Sequence, residues 1–232
     1  MTKIKICGLS RIPDIIAVNE VLPDYVGFVF ARSRRQITEE TAGELKKLLH
    51  PAIKAVGVFV NDEPDRIQRL CERNIIDLVQ LHGEEGEKYI TELHTRISCP
   101  IIQAVRIGEN DEQHTVQTTF MLNRTREDEV KNFGDYLLFD TYRKEQYGGS
   151  GESFDWALIP GTSRPYFLAG GIHSGNVERA VHQYHPYCVD VSSGVETDGY
   201  KDAVKIREIV KKVRNISRSC LSQGSTGISF LN

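Results

Sequence analysis

The chain is 232 residues long, room for one substantial core or two small ones, and a fold of this size buries roughly 70% of its unfolded surface without staples. Its 40% apolar and 26% charged residues exclude a disordered chain, and a net charge of −3 argues against gripping nucleic acid. No run approaches the ~18 apolar residues of a membrane span, and the alternating start Met-Thr-Lys-Ile-Lys-Ile-Cys is not a signal peptide. Five widely spaced cysteines without a CxxC pair are neither a disulfide framework nor a zinc knuckle and fit a reducing compartment.

In chain order, Ile4–Cys7 reads as a first strand and Pro13–Val21 as a helix with Ile15, Ile16, Val18 and Val21 at helical spacing. Strand Tyr25–Phe30 precedes helix Glu40–Leu49, and strand Ala55–Val60 precedes helix Pro64–Cys71, which carries its proline in the first turn. Strand Leu78–Leu81 and helix Gly86–Ile97 follow, then strand Ile101–Ile107. Between Gly108 and Gly134 the sequence is polar, with one helix expected near Thr125–Phe133. Strand Tyr136–Asp140 leads through Gly148-Gly-Ser-Gly151 to a helix opening at Ser153-Phe-Asp-Trp. Strand Tyr166–Ala169, helix Ser174–Tyr184, strand Cys188–Val191 and helix Asp202–Val213 complete the pattern.

Strands such as Val26-Gly-Phe-Val-Phe30 and Val56-Gly-Val-Phe-Val60 are apolar on both faces, as doubly covered parallel strands are. Eight of them alternating with helices predict an α/β fold, a single (β/α)₈ TIM barrel over residues 1–215. A doubly wound open sheet is the rival, and the strand count favours the barrel. Residues 216–232 form a Ser/Gly-rich tail whose composition fits a disordered extension.

In such a barrel the chemistry stands at the carboxyl ends of the strands. Those positions hold Cys7-Gly8, Arg32 to Arg35, His82-Gly83, Arg106, Asp140-Thr141, Gly170-Gly171 and Asp190-Val-Ser-Ser-Gly194. Position alone leaves Cys7 open between a small buried apolar residue and a base, and a thiolate base requires its pKa to fall from about 8.5 towards working pH. Asp140, directly after four apolar residues, is either a loop cap or a carboxyl raised by desolvation until it can donate a proton near neutrality. The glycine-rich turns after strands seven and eight suit a phosphate held by backbone N–H groups. One arginine of the Arg32–Arg35 run could clamp a carboxylate with a bidentate fork, the others being solvated. His82 is either a satisfied rim histidine or a participant.

Taken in order, Lys5-Ile-Cys-Gly8, Gly27-Phe-Val-Phe30 with Ser33-x-Arg35-x-Ile37, Leu78-Val-Gln-Leu-His-Gly83, Leu138-Phe-Asp-Thr141, Gly148-Gly-Ser-Gly151, Leu168-Ala-Gly-Gly-Ile172 and Asp190-Val-Ser-Ser-Gly-Val-Glu196 with Gly199-x-Lys-Asp202 resemble the phosphoribosylanthranilate isomerases of tryptophan biosynthesis. The resemblance implies an Amadori rearrangement of N-(5′-phosphoribosyl)anthranilate to 1-(2-carboxyphenylamino)-1-deoxyribulose 5-phosphate. It implies Cys7 as general base at C2′ and Asp140 as general acid at the ring oxygen. Arg35 would hold the anthranilate carboxylate, Asp190 would orient the aromatic amine, and His82 joins them as a substrate contact. Gly170, Gly171, Ser192, Ser193 and Gly194 would hold the phosphate. The family's Ser-Pro-Arg loop reads Ser33-Arg34-Arg35 here, and alignment on Ser33 and Ile37 favours Arg35 over Arg34 as the clamp. The histidine-pathway aminoaldose isomerases, a rival in the same barrel group, use Asp where this chain has Cys7. A non-catalytic phosphate-binding barrel is the rival from another class. The expectation is a cytoplasmic isomerase acting on a small phosphosugar, monomeric or homodimeric, with no metal, no cofactor, no nucleic acid and no membrane partner.

Overall fold

Alternation along a strand sends successive side chains to opposite faces, so an apolar strand can serve two cores at once. The computed structural model, which describes residues 1–107, 134–141, 156–159 and 161–223, uses its strands in this way. Strands β1 (Lys3–Cys7), β2 (Tyr25–Val29), β3 (Lys54–Phe59), β4 (Leu78–Leu81), β5 (Ile101–Ile107), β6 (Tyr136–Thr141), β7 (Tyr166–Leu168) and β8 (Cys188–Val191) pair in parallel in chain order. β8 returns to β1 with Lys5 opposite Asp190, which closes the barrel. The expected barrel is therefore the fold.

The outward residues Ile4, Ile6, Val26, Phe28, Val79, Leu81, Val189 and Val191 pack in one core with Ile15, Leu45, Ile67 and Ile206 of the surrounding helices. Those helices are α1 (Ile12–Val21), α2 (Glu39–Leu48), α3 (Pro64–Glu72), α4 (Glu87–Arg96), α5 (Val177–Tyr184) and α6 (Ala203–Gln223). Each fully buried aliphatic side chain contributes ~1.5–3 kcal/mol relative to exposure, so the helical layer is fixed by these contacts rather than by propensity. Tyr25, Val56, Leu78, Ile102, Leu138, Phe167 and Cys188 form a second cluster inside the barrel.

The inward residues change character along the barrel axis. Leu78 leads by steps of two to Gln80 and His82, Leu138 to Asp140, and Cys188 to Asp190; all are buried. On β1 the same step carries buried Lys5 to Cys7. The amino end of the barrel is thus plugged by apolar and aromatic side chains, and the carboxyl end is lined by polar ones.

Two boundaries differ from expectation. The last helix continues to Gln223 instead of stopping at Val213, so it runs into the Ser/Gly-rich stretch. Its apolar stripe Ile206, Ile209, Val210 and Val213 is completed by buried Ile216, one helical repeat further on. After β6 the described residues hold only a short 3₁₀ turn, Trp156–Leu158, before β7. The expected helix near Thr125–Phe133, the Gly148–Gly151 loop and the opening at Ser153 lie outside the described residues, as does the end of the tail.

Candidate active site

Cys7 ends β1 opposite Gly27 of β2, and a Cβ on Gly27 would sit 2.6 Å from the Cys7 sulfur. Only glycine leaves the thiol room inside the barrel at that level. Burial pushes the Cys7 thiol above its ordinary value, and the Asp190 carboxylate adds to this, while Lys5 and Lys201 pull the other way. The fall in pKa expected of a thiolate base is therefore not what this surrounding produces; desolvation outweighs the two ammonium groups.

Asp140 ends the apolar run of β6, opposite Arg106 of β5, and is 7% exposed. Its Oδ2 lies 3.3 Å from Nε2 of His82. His82 Nδ1 lies 2.9 Å from Nε2 of Gln80, and Gln80 Oε1 accepts a 2.6 Å hydrogen bond from the ammonium of Lys5. Lys5 in turn is 2.8 Å from Asp190 Oδ2. A continuous buried chain therefore runs from Asp190 on β8 through Lys5, Gln80 and His82 to Asp140 on β6. Burial opposes the Lys5 charge, but Asp190 and the Cys7 sulfur more than offset it and hold its pKa above the ordinary lysine value. The other oxygen of Asp190, Oδ1, is buried with no hydrogen-bond partner among the described residues. An unmet buried acceptor costs about 1–3 kcal/mol or more, so this atom is a place for a donor.

The rim opposite is built by a hairpin. Asp198 and Gly199 both have positive φ, the two-residue turn that joins antiparallel strands β9 (Glu196–Thr197) and β10 (Tyr200–Lys201). The turn puts Lys201 directly across from Glu196, and their side chains meet at 2.7 Å. Glu196 also takes a bidentate contact from Arg35, 2.7 Å from Nε and 3.0 Å from Nη2, and a 2.5 Å contact from Arg34. The Arg35 side chain is 12% exposed and lies over Gly8, beside Cys7, whereas that of Arg34 is 56% exposed. Arg34 does not face water alone, as the sequence suggests; the hairpin carboxylate engages it because one acidic group is the nearest anion for both arginines and the lysine. Burial opposes the Glu196 charge, but Arg35 and Lys201 hold its carboxyl below the usual range. Glu196→Gln should therefore cost on the order of 3 kcal/mol, a drop of roughly 6–12 °C in Tm, since three cations lose their common anion. A depressed folded pKa stabilises above the unfolded value of about 4.3 and is lost as pH falls through the folded value. The Tm gap between wild type and Glu196→Gln should accordingly narrow on acidification, and calorimetry across pH checks it.

Gly170 and Gly171 follow β7 with φ of 76° and 67°, left-handed backbone that only glycine adopts without strain. Asn176 ties this turn by donating to the Gly171 carbonyl at 2.8 Å. After β8, Ser192 donates to the Cys7 carbonyl at 3.1 Å and its own carbonyl accepts from Lys201 at 2.8 Å, which locks this loop, the β1 end and the hairpin together. Ser193 and Gly194 open a short 3₁₀ turn beside it. The carboxyl end of the barrel thus gathers Cys7, Arg35, His82, Asp140, Asp190 and both glycine-rich turns. Lys5, Gln80, Glu196 and Lys201 join them; each stands inside a motif quoted above but was given no role there, and the signal for the first two was a polar residue two positions before a rim residue on the same strand. A cavity of about 630 Å³ lined by Lys3, Tyr25, Leu78 and Tyr136 lies at the other, amino end, away from these groups.

Comparison with known proteins identifies the family of the chain and its barrel. A family profile described as N-(5'phosphoribosyl)anthranilate (PRA) isomerase matches residues 4–212. The N-(5'-phosphoribosyl)anthranilate isomerase of Endomicrobium trichonymphae is 48% identical over 216 residues, 93% of this chain and 100% of the relative. The crystal structure of phosphoribosyl anthranilate isomerase from Thermotoga maritima superposes with a TM-score of 0.77 at 33% identity, covering 93% of this chain and 100% of that one. A phosphoribosyl anthranilate isomerase in complex with reduced 1-(o-carboxyphenylamino)-1-deoxyribulose 5-phosphate superposes with a TM-score of 0.74 at 32% identity and the same coverage.

Proposed function

Because the chain belongs to the N-(5′-phosphoribosyl)anthranilate isomerase family, enzymes of tryptophan biosynthesis, we propose that Asp140 and Cys7 perform the two proton transfers of its Amadori rearrangement. The observation that carries this is the pair itself: a buried carboxyl and a buried thiol, both facing inward at the carboxyl ends of β6 and β1. Asp140 gives its proton to the furanose ring oxygen as the bond from that oxygen to C1′ breaks, and the electron pair of the anthranilate nitrogen forms the C1′–N double bond. The thiolate of Cys7 then takes the C2′ proton. The electrons of that C–H bond move into C1′–C2′ and neutralise the nitrogen, and tautomerisation of the enolamine yields the ketone at C2′.

The other groups hold the substrate. Asp190 Oδ1, without a donor among the described residues, suits the N–H of the anthranilate amine. The N–H groups of Gly170, Gly171, Ser192, Ser193 and Gly194 suit the phosphate, as the barrel's phosphate sites after strands seven and eight do. Arg35, the more buried of the two arginines and the one beside Cys7, suits the anthranilate carboxylate, which would share or displace Glu196. That pair exists in substrate and transition state alike, so Arg35→Ala should raise KM roughly ten- to a hundredfold with a smaller loss in kcat, from a charge-assisted bond of ~1.5–3 kcal/mol. Arg34→Ala should change KM less than about threefold, since its contact is exposed. Steady-state kinetics of both variants, with N-(5′-phosphoribosyl)anthranilate as substrate, tests the assignment. A KM effect on Arg34→Ala with a silent Arg35→Ala moves the clamp by one residue.

A further inference from the structure

The buried chain that ends on Asp140 has a direction, and the direction follows from what each member is able to donate. Lys5 is fully buried, and an ammonium only donates. Its 2.6 Å contact therefore falls on the carbonyl oxygen of the Gln80 amide, and flipping that amide would set one N–H₂ donor against another. The Gln80 nitrogen, thus fixed, faces Nδ1 of His82 at 2.9 Å and must donate to it. Nδ1 then accepts, so the ring proton sits on Nε2, the atom 3.3 Å from Asp140 Oδ2.

We propose that Lys5 and Gln80 are positioning residues for the reaction: they lock His82 in its Nε2–H tautomer, so that His82 turns a proton rather than a lone pair towards Asp140 Oδ2, 3.3 Å away, and does not take the proton meant for the substrate. The inference rests on the reading of Asp140 as the general acid. In the opposite tautomer, Nε2 would carry a lone pair aimed at Asp140 Oδ2. Protonated Asp140 would then donate to the histidine, and the proton meant for the ring oxygen would be held inside the site. Lys5 is itself anchored by Asp190 at 2.8 Å, so the same ammonium orients the acid's support on β4 and holds the carboxylate on β8. Neither Lys5 nor Gln80 needs to touch the substrate for this.

Gln80→Glu separates this role from packing. It keeps the length and shape of the side chain and still accepts from Lys5, but a carboxylate has no proton to give to Nδ1. His82 should switch to the Nδ1–H tautomer and donate to the introduced carboxylate, leaving its lone pair on Asp140. The wild-type protein, labelled with ¹⁵N-histidine, should show His82 as Nε2–H in long-range ¹H–¹⁵N spectra, the signal assigned by its loss in His82→Gln. Gln80→Glu should show Nδ1–H, with kcat down tenfold or more and KM within about threefold. Gln80→Leu, which removes both contacts, should show mixed tautomers and an intermediate kcat. A wild-type Nδ1–H signal overturns the proposal, as does a Gln80→Glu enzyme that keeps its kcat within about twofold of wild type. Failure of the underlying reading looks different: Asp140→Asn would turn over normally while the tautomer still followed Gln80.

Discussion

Asp140→Asn should slow turnover by ~10²- to 10⁴-fold while leaving the fold intact. The amide has the carboxyl's shape and can keep an oxygen at the position of Oδ2, 3.3 Å from the imidazole. It has no acidic proton for the ring oxygen, and a positioned acid contributes about that factor. The loss should appear in kcat with KM little changed, because proton donation develops only in the transition state. Near-normal kcat in Asp140→Asn would remove Asp140 from the chemistry.

Cys7→Ser should lose turnover by a similar ~10²- to 10⁴-fold while still binding product analogues, since a serine hydroxyl is rarely ionised near neutrality and makes a poor base. The pH dependence follows from the direction of the thiol's shift. Burial holds Cys7 above its ordinary value, so the thiolate is the minor form near neutrality and its share grows as pH rises. kcat/KM should therefore climb with pH through the ordinary cysteine range near 8.5 rather than level off below it. A flat profile from pH 6 to 9 in the wild type, or full activity in Cys7→Ser, would assign Cys7 to packing.

The sequence announced the rim of the barrel better than its interior. Cys7, Asp140 and Asp190 were legible because each sits at or near the carboxyl end of an apolar strand, where a polar residue has no structural reason to be. Lys5 and Gln80 were not. Lys5 lies in an alternating Lys-Ile-Lys-Ile strand and Gln80 in Leu-Val-Gln-Leu, and nothing local says that a lysine on β1 and a glutamine on β4 are partners 75 positions apart. Their burial is explicable only once the closed barrel brings Asp190 beside one and His82 beside the other. Glu196 was hidden for the same reason, since its contact with Arg35 spans 161 positions and depends on the turn at Asp198-Gly199. The end of α6 was missed because polar Arg214 and Asn215 interrupt the apolar stripe before Ile216 resumes it.

The direction of the Cys7 shift could not be read from sequence at all. Two ammonium groups nearby would lower the pKa of an exposed thiol. Here the thiol is only 8% exposed and shares its surroundings with Asp190, so desolvation and the carboxylate prevail over Lys5 and Lys201. In the proposed mechanism a base that is seldom ionised would gain from a substrate whose developing positive charge on nitrogen acidifies the C2′ proton, which would place the burden of the first step on Asp140.

The division of labour between the two residues is open to one direct measurement, the kinetic isotope effect on kcat with substrate deuterated at C2′, compared between the two variants. If Cys7 takes the C2′ proton, Cys7→Ser makes that step limiting and should show a full primary isotope effect. If Asp140 opens the ring, Asp140→Asn makes the earlier step limiting and its isotope effect should fall to near unity. Equal isotope effects in the two variants, or the larger one in Asp140→Asn, would contradict the assignment of base to Cys7 and acid to Asp140.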